Sequence, residues 1–282
     1  MSGENKSPLT EHLGELRDRL VRSFIAVGGG FVIAYVFKEK LFDLLTAPLV
    51  EAMAKSGTDA KMIFTGLPEA FFTYLKVSLL AGILVSTPVL FYQFWMFVSP
   101  GLYRNEKKYM IPIVLLSVMF FIIGSMFGYF VVFPYGFTFF LGFSSSTIQA
   151  MPSMKEYLSF ASKMLLAFGL VFELPLVLTF MARMGLVSVA FLRKNRKYAI
   201  LLFFVGAAMI TPPDVITQCM MAAPLMVLYE ISIVGAMVFG KKKEEIKEEP
   251  DEDENETDSE GAGEPDGDDT GPSHAYEDIE SD

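Results

Sequence analysis

The sequence predicts an all-α membrane protein with six transmembrane helices and both termini on the cytoplasmic side. Three observations carry this reading. Apolar residues make up 52% of the 282-residue chain and the mean hydropathy is +0.41, above the roughly 45–50% apolar share of soluble domains. Residues 77–98 are 22 positions without a charge, and 109–154 are 46. A run of about 22 spans roughly 33 Å as a helix, enough to cross a hydrocarbon core of about 30 Å. Charge is also partitioned. Residues 244–282 hold 19 of the 33 acidic residues and one basic residue, Lys247, which leaves a body with 22 Lys and Arg against 14 acids.

Taken in order, the elements are these. Residues 1–22 form a cytoplasmic amphipathic segment with Leu9, Leu13, Leu16 and Leu20 at helical spacing and Glu11, Glu15 and Asp18 on the opposite side. The first span is 23–37, extended backwards by Leu20 and Val21. The second is the uncharged run 77–98. The third, 109–133, is cut from a longer run by Pro134 and the polar stretch 144–149. The fourth is 164–182, with Glu173 at its centre. The fifth, 199–211, has only 13 residues before Pro212-Pro213-Asp214 stops it. The sixth is 215–240, with Gln218 near its start and Glu230 nearer its end. This count places 16 of the 23 Lys and Arg on the side of the two termini, as the positive-inside rule favours, whereas five spans would put one of the most basic segments on the wrong side.

The connection 38–76, with Pro48, Gly57, Gly66 and Pro68, is expected to hold short helices at the outer interface, and the aromatic stretch 135–143 is expected to be interfacial too. The six-helix domain covers 23–240. The tail 241–282, basic and then acidic, cannot bury enough apolar surface to fold and is expected to be disordered. One cysteine and two distant histidines argue against a disulfide scaffold, a metal site or a Ser-His-Asp triad. No nucleotide-binding glycine loop occurs. No cofactor, nucleic-acid partner or cleavable signal peptide is expected.

Three features could carry function. Glu11 and Glu15 stand one turn apart: either they pair with their own basic neighbours, as in Glu15–Arg19 and Asp18–Arg22, or they form an acidic patch open to a cation. Glu106 follows Pro100-Gly101 at the start of the third span, as a helix-capping carboxylate or as part of an inner-face site. Glu173 lies mid-membrane, where a carboxylate costs roughly 2.5–3.5 kcal/mol, with Gln218 and Thr211 as candidate polar companions. Gly124 and Gly128 match the small-residue helix-contact pattern, with packing inside the bundle as the favoured role.

The run His12-Leu13-Gly14-Glu15-Leu16-Arg17-Asp18-Arg19-Leu20 resembles the N-terminal signature of the TatC family, the polytopic core of the twin-arginine protein translocase. Phe94-Trp95-Met96-Phe97-Val98-Ser99-Pro100-Gly101-Leu102-Tyr103-Arg104-Asn105-Glu106 resembles the family's second cytoplasmic signature. Gly128-Tyr129-Phe130-Val131-Val132-Phe133-Pro134, Phe172-Glu173-Leu174-Pro175 and Thr211-Pro212-Pro213-Asp214 resemble further family motifs, in order along residues 9–240. The resemblance implies a cupped, concave bundle whose fifth and sixth helices are short. It implies a receptor for signal peptides with consecutive arginines, assembling with TatA-like and TatB-like single-span partners and with its own copies. Such proteins sit in the inner membrane, export folded proteins on the proton-motive force and are not enzymes. It assigns Glu15 and Glu106 to the arginines, with Arg17 and Phe97 in the same two segments. Glu173 and Gln218, with Thr211 nearby, fall to the patch that meets partner helices, and Pro48 to the first outer loop. The competing class is a proton-coupled secondary transporter of a small solute, with Glu173 as its coupling carboxylate and the Pro-Pro break marking a discontinuous helix.

Overall fold

The computed structural model describes residues 8–57, 62–98, 110–144, 150–210 and 215–240. Among them lie ten α-helices, one π-helical turn and a single isolated parallel bridge, Ile63 with Ser153. Helix α1 (Pro8–Val36) joins the amphipathic segment to the first span without interruption, so the boundary expected after residue 22 falls inside one helix. Helix α2 (Lys38–Lys55) is a single 18-residue element in the connection expected to hold short helices. Helix α3 (Glu69–Val98) begins eight residues before its uncharged run. Helix α4 (Met110–Phe127) passes through the π turn Gly128–Val132 into α5 (Phe133–Leu141).

This continuity corrects the expected end of the third span at Phe133. Pro134 sits in the first turn of α5, directly after the π turn. The wider ladder has already shifted the bonding register there, so the missing N–H does not break the helix. The fourth span starts at Met154 rather than 164. It is interrupted at Glu173, between α6 (Met154–Phe172) and α7 (Leu174–Arg183), because Pro175 cannot donate to the preceding turn. Helix α8 (Val189–Lys194) is capped by Ser188, whose Oγ accepts from Phe191 N at 3.1 Å.

Helix α9 (Arg196–Ile210) has 15 residues, about 22 Å by helical rise, so the fifth span is short as expected. Helix α10 (Val215–Phe239) has 25 residues, and the expectation of a short sixth helix is corrected. The reason is the apolar run itself: Glu230 is the single charged residue of 215–240, and its Oε2 accepts from Arg196 Nη2, at the start of α9, at 2.7 Å. Helix α10 packs beside α8, where Tyr229 Oη donates to Leu192 O at 2.8 Å. Among the described residues five helical stretches are long and apolar enough to cross a membrane: His12–Val36, Glu69–Val98, Met110–Leu141, Met154–Arg183 and Gln218–Phe239. The shorter, apolar α9 is the sixth.

Packing is set by small residues. A Cβ on Gly82 of α3 would lie 2.7 Å from Phe31 N, and one on Gly30 of α1 would lie 2.7 Å from Gly82 O. The two backbones therefore touch, and Ser86 Oγ donates across them to Ala26 O at 2.8 Å. Gly124 and Gly128 both face α6, where a Cβ on Gly124 would run into Phe168 O and the Phe172 ring. That is the intrabundle packing role expected of them. Outward side chains of α1 such as Phe24, Ile25 and Val32 are exposed, as a lipid-facing surface requires. The core gathers where α2, α5 and α6 meet, around Met53, Phe133, Leu158 and Phe168.

Candidate functional site

The α1–α3 contact brings the start of α1 beside the end of α3. Arg19, one turn after Glu15, donates to Glu15 Oε1 from Nε at 3.0 Å and also from Nη2. Its Nη1 reaches Gln93 Oε1 of α3 at 3.5 Å. The Arg19 side chain is only 12% exposed, that of Glu15 34%. His12 stacks on Phe97, with ring centroids 4.5 Å apart and planes 13° from parallel, and its Nδ1 lies 3.9 Å from Glu15 Oε2. Two residues from separate elements, Glu15 and Phe97, are thus joined through His12. Arg17 points away: it is exposed and donates to Asp18 Oδ1 from Nε (3.2 Å) and Nη2 (3.1 Å). The Glu15–Arg19 pair therefore forms, while Asp18 takes its neighbour Arg17 instead of Arg22. Glu106, the other carboxylate expected here, lies outside the described residues.

Glu173 sits at the α6–α7 break, 5% exposed. Ser117 of α4 lies beside its carboxyl, and the Ser117 hydroxyl accepts from Nε1 of Trp95, the sole tryptophan, at 2.8 Å. Among the described residues the Oε1 atom of Glu173 is buried without a hydrogen-bond partner. Such an atom is costly unless something outside this chain satisfies it. Gln218 is not its companion, which corrects that expectation: Gln218 Nε2 donates to Phe204 O of α9 at 2.9 Å. The register explains why. Gly235 of α10 faces Thr179 of α7, and Gly240 faces Ala182. Glu173 is then level with residues near Tyr229, and Gln218 lies about 11 residues back, roughly 16 Å along the helix. Thr211 lies outside the described residues.

Pro48 is buried inside α2. Lacking an N–H, it leaves the carbonyl of Leu44, four residues earlier, without its helical donor. Tyr129 Oη of the π turn donates to that oxygen at 2.6 Å. Pro88 in α3 repeats the arrangement, with Thr87 Oγ1 donating to Leu84 O at 2.7 Å.

One carboxylate escaped the sequence reading. Glu69, 8% exposed, accepts at Oε2 from Thr65 N (2.8 Å), Thr65 Oγ1 (3.2 Å) and Gly66 N (3.3 Å). At Oε1 it accepts from Ser153 Oγ (2.9 Å) and Lys155 N (3.0 Å). Beside it, Ile63 N donates to Pro152 O at 3.1 Å and Met154 N to Ile63 O at 3.0 Å. The local half of this latch was legible, since an acid in the first turn reaches back to N–H groups just before a helix. The distant half was not.

These observations define a multi-pass helical membrane protein with a carboxylate–aromatic cluster at one end of its first helix pair and a buried acid within its span. Residues 11–224 match the family model described as Sec-independent protein translocase protein (TatC). The chain is 79% identical over 246 residues to the protein of that name from Desulforapulum autotrophicum, covering 87% of this chain and 90% of that one. It is 36% identical over 248 residues to the Escherichia coli K12 protein, covering 87% and 95%. A crystal structure described as the twin-arginine translocase receptor TatC superposes with a TM-score of 0.72 at 40% identity, over 81% of this chain and 99% of that one. The chain belongs to the TatC family. Its members are translocase components and not enzymes, which sets aside the transporter reading of Glu173.

Proposed function

We propose that this chain is the receptor subunit of a twin-arginine translocase, in the inner membrane with both termini cytoplasmic. Glu15 and Glu106 bind the two arginines of a signal peptide, with Phe97 beneath them and Arg17 at the margin. Glu173 meets the membrane helix of a TatA-like or TatB-like partner, and Gln218, roughly 16 Å away along the bundle, meets the same helix together with Thr211. Copies of the chain assemble within the complex, and the proton-motive force drives passage of the folded cargo. Pro48 shapes the outer side through Tyr129.

The observation that carries the reading is the junction of Glu15 with Phe97 through His12. A carboxylate next to an aromatic face suits a planar guanidinium, which can donate in a fork and stack at once. A lysine ammonium can do neither in that plane. The clustering of 16 of 23 Lys and Arg on one side supports the topology, and the unpartnered Glu173 Oε1 supports a partner contact.

The test is binding of a labelled twin-arginine peptide and its twin-lysine version to the purified full chain. Glu15→Gln and Glu106→Gln are each expected to weaken the arginine peptide about tenfold or more, since a charged hydrogen bond is worth about 1.5–3 kcal/mol. The arginine-to-lysine change should then cost less in either variant than in the parent. Strictly additive losses would overturn the assignment. Separately, Glu173→Ala is expected to reduce photocrosslinking to the partner helix while signal-peptide affinity stays constant.

A further inference from the structure

His12 is placed as a ligand would be. Its planar ring lies nearly parallel to Phe97 at 4.5 Å, and it turns Nδ1 towards Glu15 Oε2 at 3.9 Å. A guanidinium seated at the same spot would make the same two contacts, a stack on the ring and a donated bond to the carboxylate. The surrounding groups differ in how firmly they are held. Arg19 places two donors on Oε1, is nearly buried and reaches Gln93. It therefore fixes Glu15 by one oxygen and leaves the other towards His12. His12 itself is 51% exposed, and 3.9 Å is too long for a hydrogen bond. The fixed half of the cluster is a receptor surface, and the loosely held half is its occupant.

We propose that His12 is an internal surrogate for one signal-peptide arginine: it fills the stacked position on Phe97 above Glu15 Oε2 and yields it to the incoming guanidinium. This rests on the recognition role given to Glu15 above. The affinity for an arginine peptide is then lowered by the fraction of time the ring holds that position. A lysine ammonium is compact and meets Oε2 from the edge without needing the ring's place, so His12 leaves the lysine peptide unaffected.

The experiment measures both peptides against the full chain in one detergent at fixed salt, in the parent, His12→Ala, His12→Phe and Glu15→Gln. His12→Ala is expected to raise arginine-peptide affinity by roughly three- to tenfold, the scale of one aromatic stack, and to leave the lysine peptide within about twofold. His12→Phe keeps the stack and is expected to give no gain. A loss or no change with His12→Ala, or an equal gain with His12→Phe, would overturn the proposal. If Glu15→Gln leaves the preference for arginine over lysine intact, the underlying recognition site fails. If Glu15→Gln removes the preference but His12→Ala gives no gain, only the surrogate fails.

Discussion

Glu15 and Glu69 lie at opposite ends of helix α3, and they are built in opposite ways. Glu69 is buried and receives five donors, from its own loop and from the start of α6 84 to 86 residues away. Glu15 is one-third exposed, and the bonds from Arg19 fall on a single oxygen. A carboxylate whose lone pairs are all taken has nothing to offer a ligand and acts as a fastener. One with an oxygen that no described residue hydrogen-bonds, beside an aromatic ring, can still form a charge-assisted bond. Glu173 is a third case, buried with one oxygen unmet among the described residues. Saturation, rather than residue type or depth, separates a structural acid from a receptive one.

The contrast between the two ends is best broken by parting the helices that carry one of them. Gly82→Val puts a branched side chain against the Phe31 backbone, which cannot yield as a side chain would. It is expected to abolish measurable twin-arginine peptide binding and to lower the amount of folded protein in the membrane, read by peptide binding and detergent-stable yield. Next in size, Glu69→Ala strips an acceptor from five donors. It is expected to lower the apparent melting temperature in detergent by several degrees, leaving peptide affinity within about twofold because the two ends are far apart. Glu15→Gln should show the reverse pattern, and a shared pattern in both variants would erase the contrast. A smaller effect belongs to Tyr129→Phe, which should cost about 0.5–1.5 kcal/mol in unfolding free energy. In a Pro48→Ala background that cost should shrink, since the restored N–H takes the Leu44 carbonyl. The smallest effect is expected from truncation after Lys243: export of a reporter with a twin-arginine signal should be unchanged, because residues 244–282 lack a core-forming pattern.

Hydropathy made the spans legible, since lipid requires apolar side chains and internally bonded backbone. Their ends were less so. Helix α3 starts at Glu69 because the latch caps it, and α5 survives Pro134 because the π turn precedes it; neither follows from hydrophobicity. Glu15 and Phe97 were legible through a family signature, but their bridge His12 was not, because stacking depends on helix rotation that spacing along one chain leaves open. Glu173 was legible as a charge in an apolar run. Its neighbours Ser117 and Trp95 were not, because they arrive from α3 and α4. The pairing of Gln218 with Glu173 failed for a similar reason, since register between helices fixes depth and sequence alone does not.

The latch at Glu69 also imposes an order on biosynthesis. Thr65, Gly66 and Glu69 are made together, but Ser153 and Lys155 follow 84 and 86 residues later. At about 5–20 residues per second, that separation is a wait of roughly 4–17 s. During this interval α4, the π turn and α5 must emerge and cross before α6 can return its first residues to α3. Until then one oxygen of Glu69 has only water for company. The latch needs only the first residues of α6, so it can close before Leu165, Phe168 and Phe172 reach α4, and a chain that threads α4–α5 incorrectly cannot close it. Protection of the 62–68 segment from a protease added to nascent chains of increasing length would appear only once residue 155 has cleared the ribosome and reached the membrane.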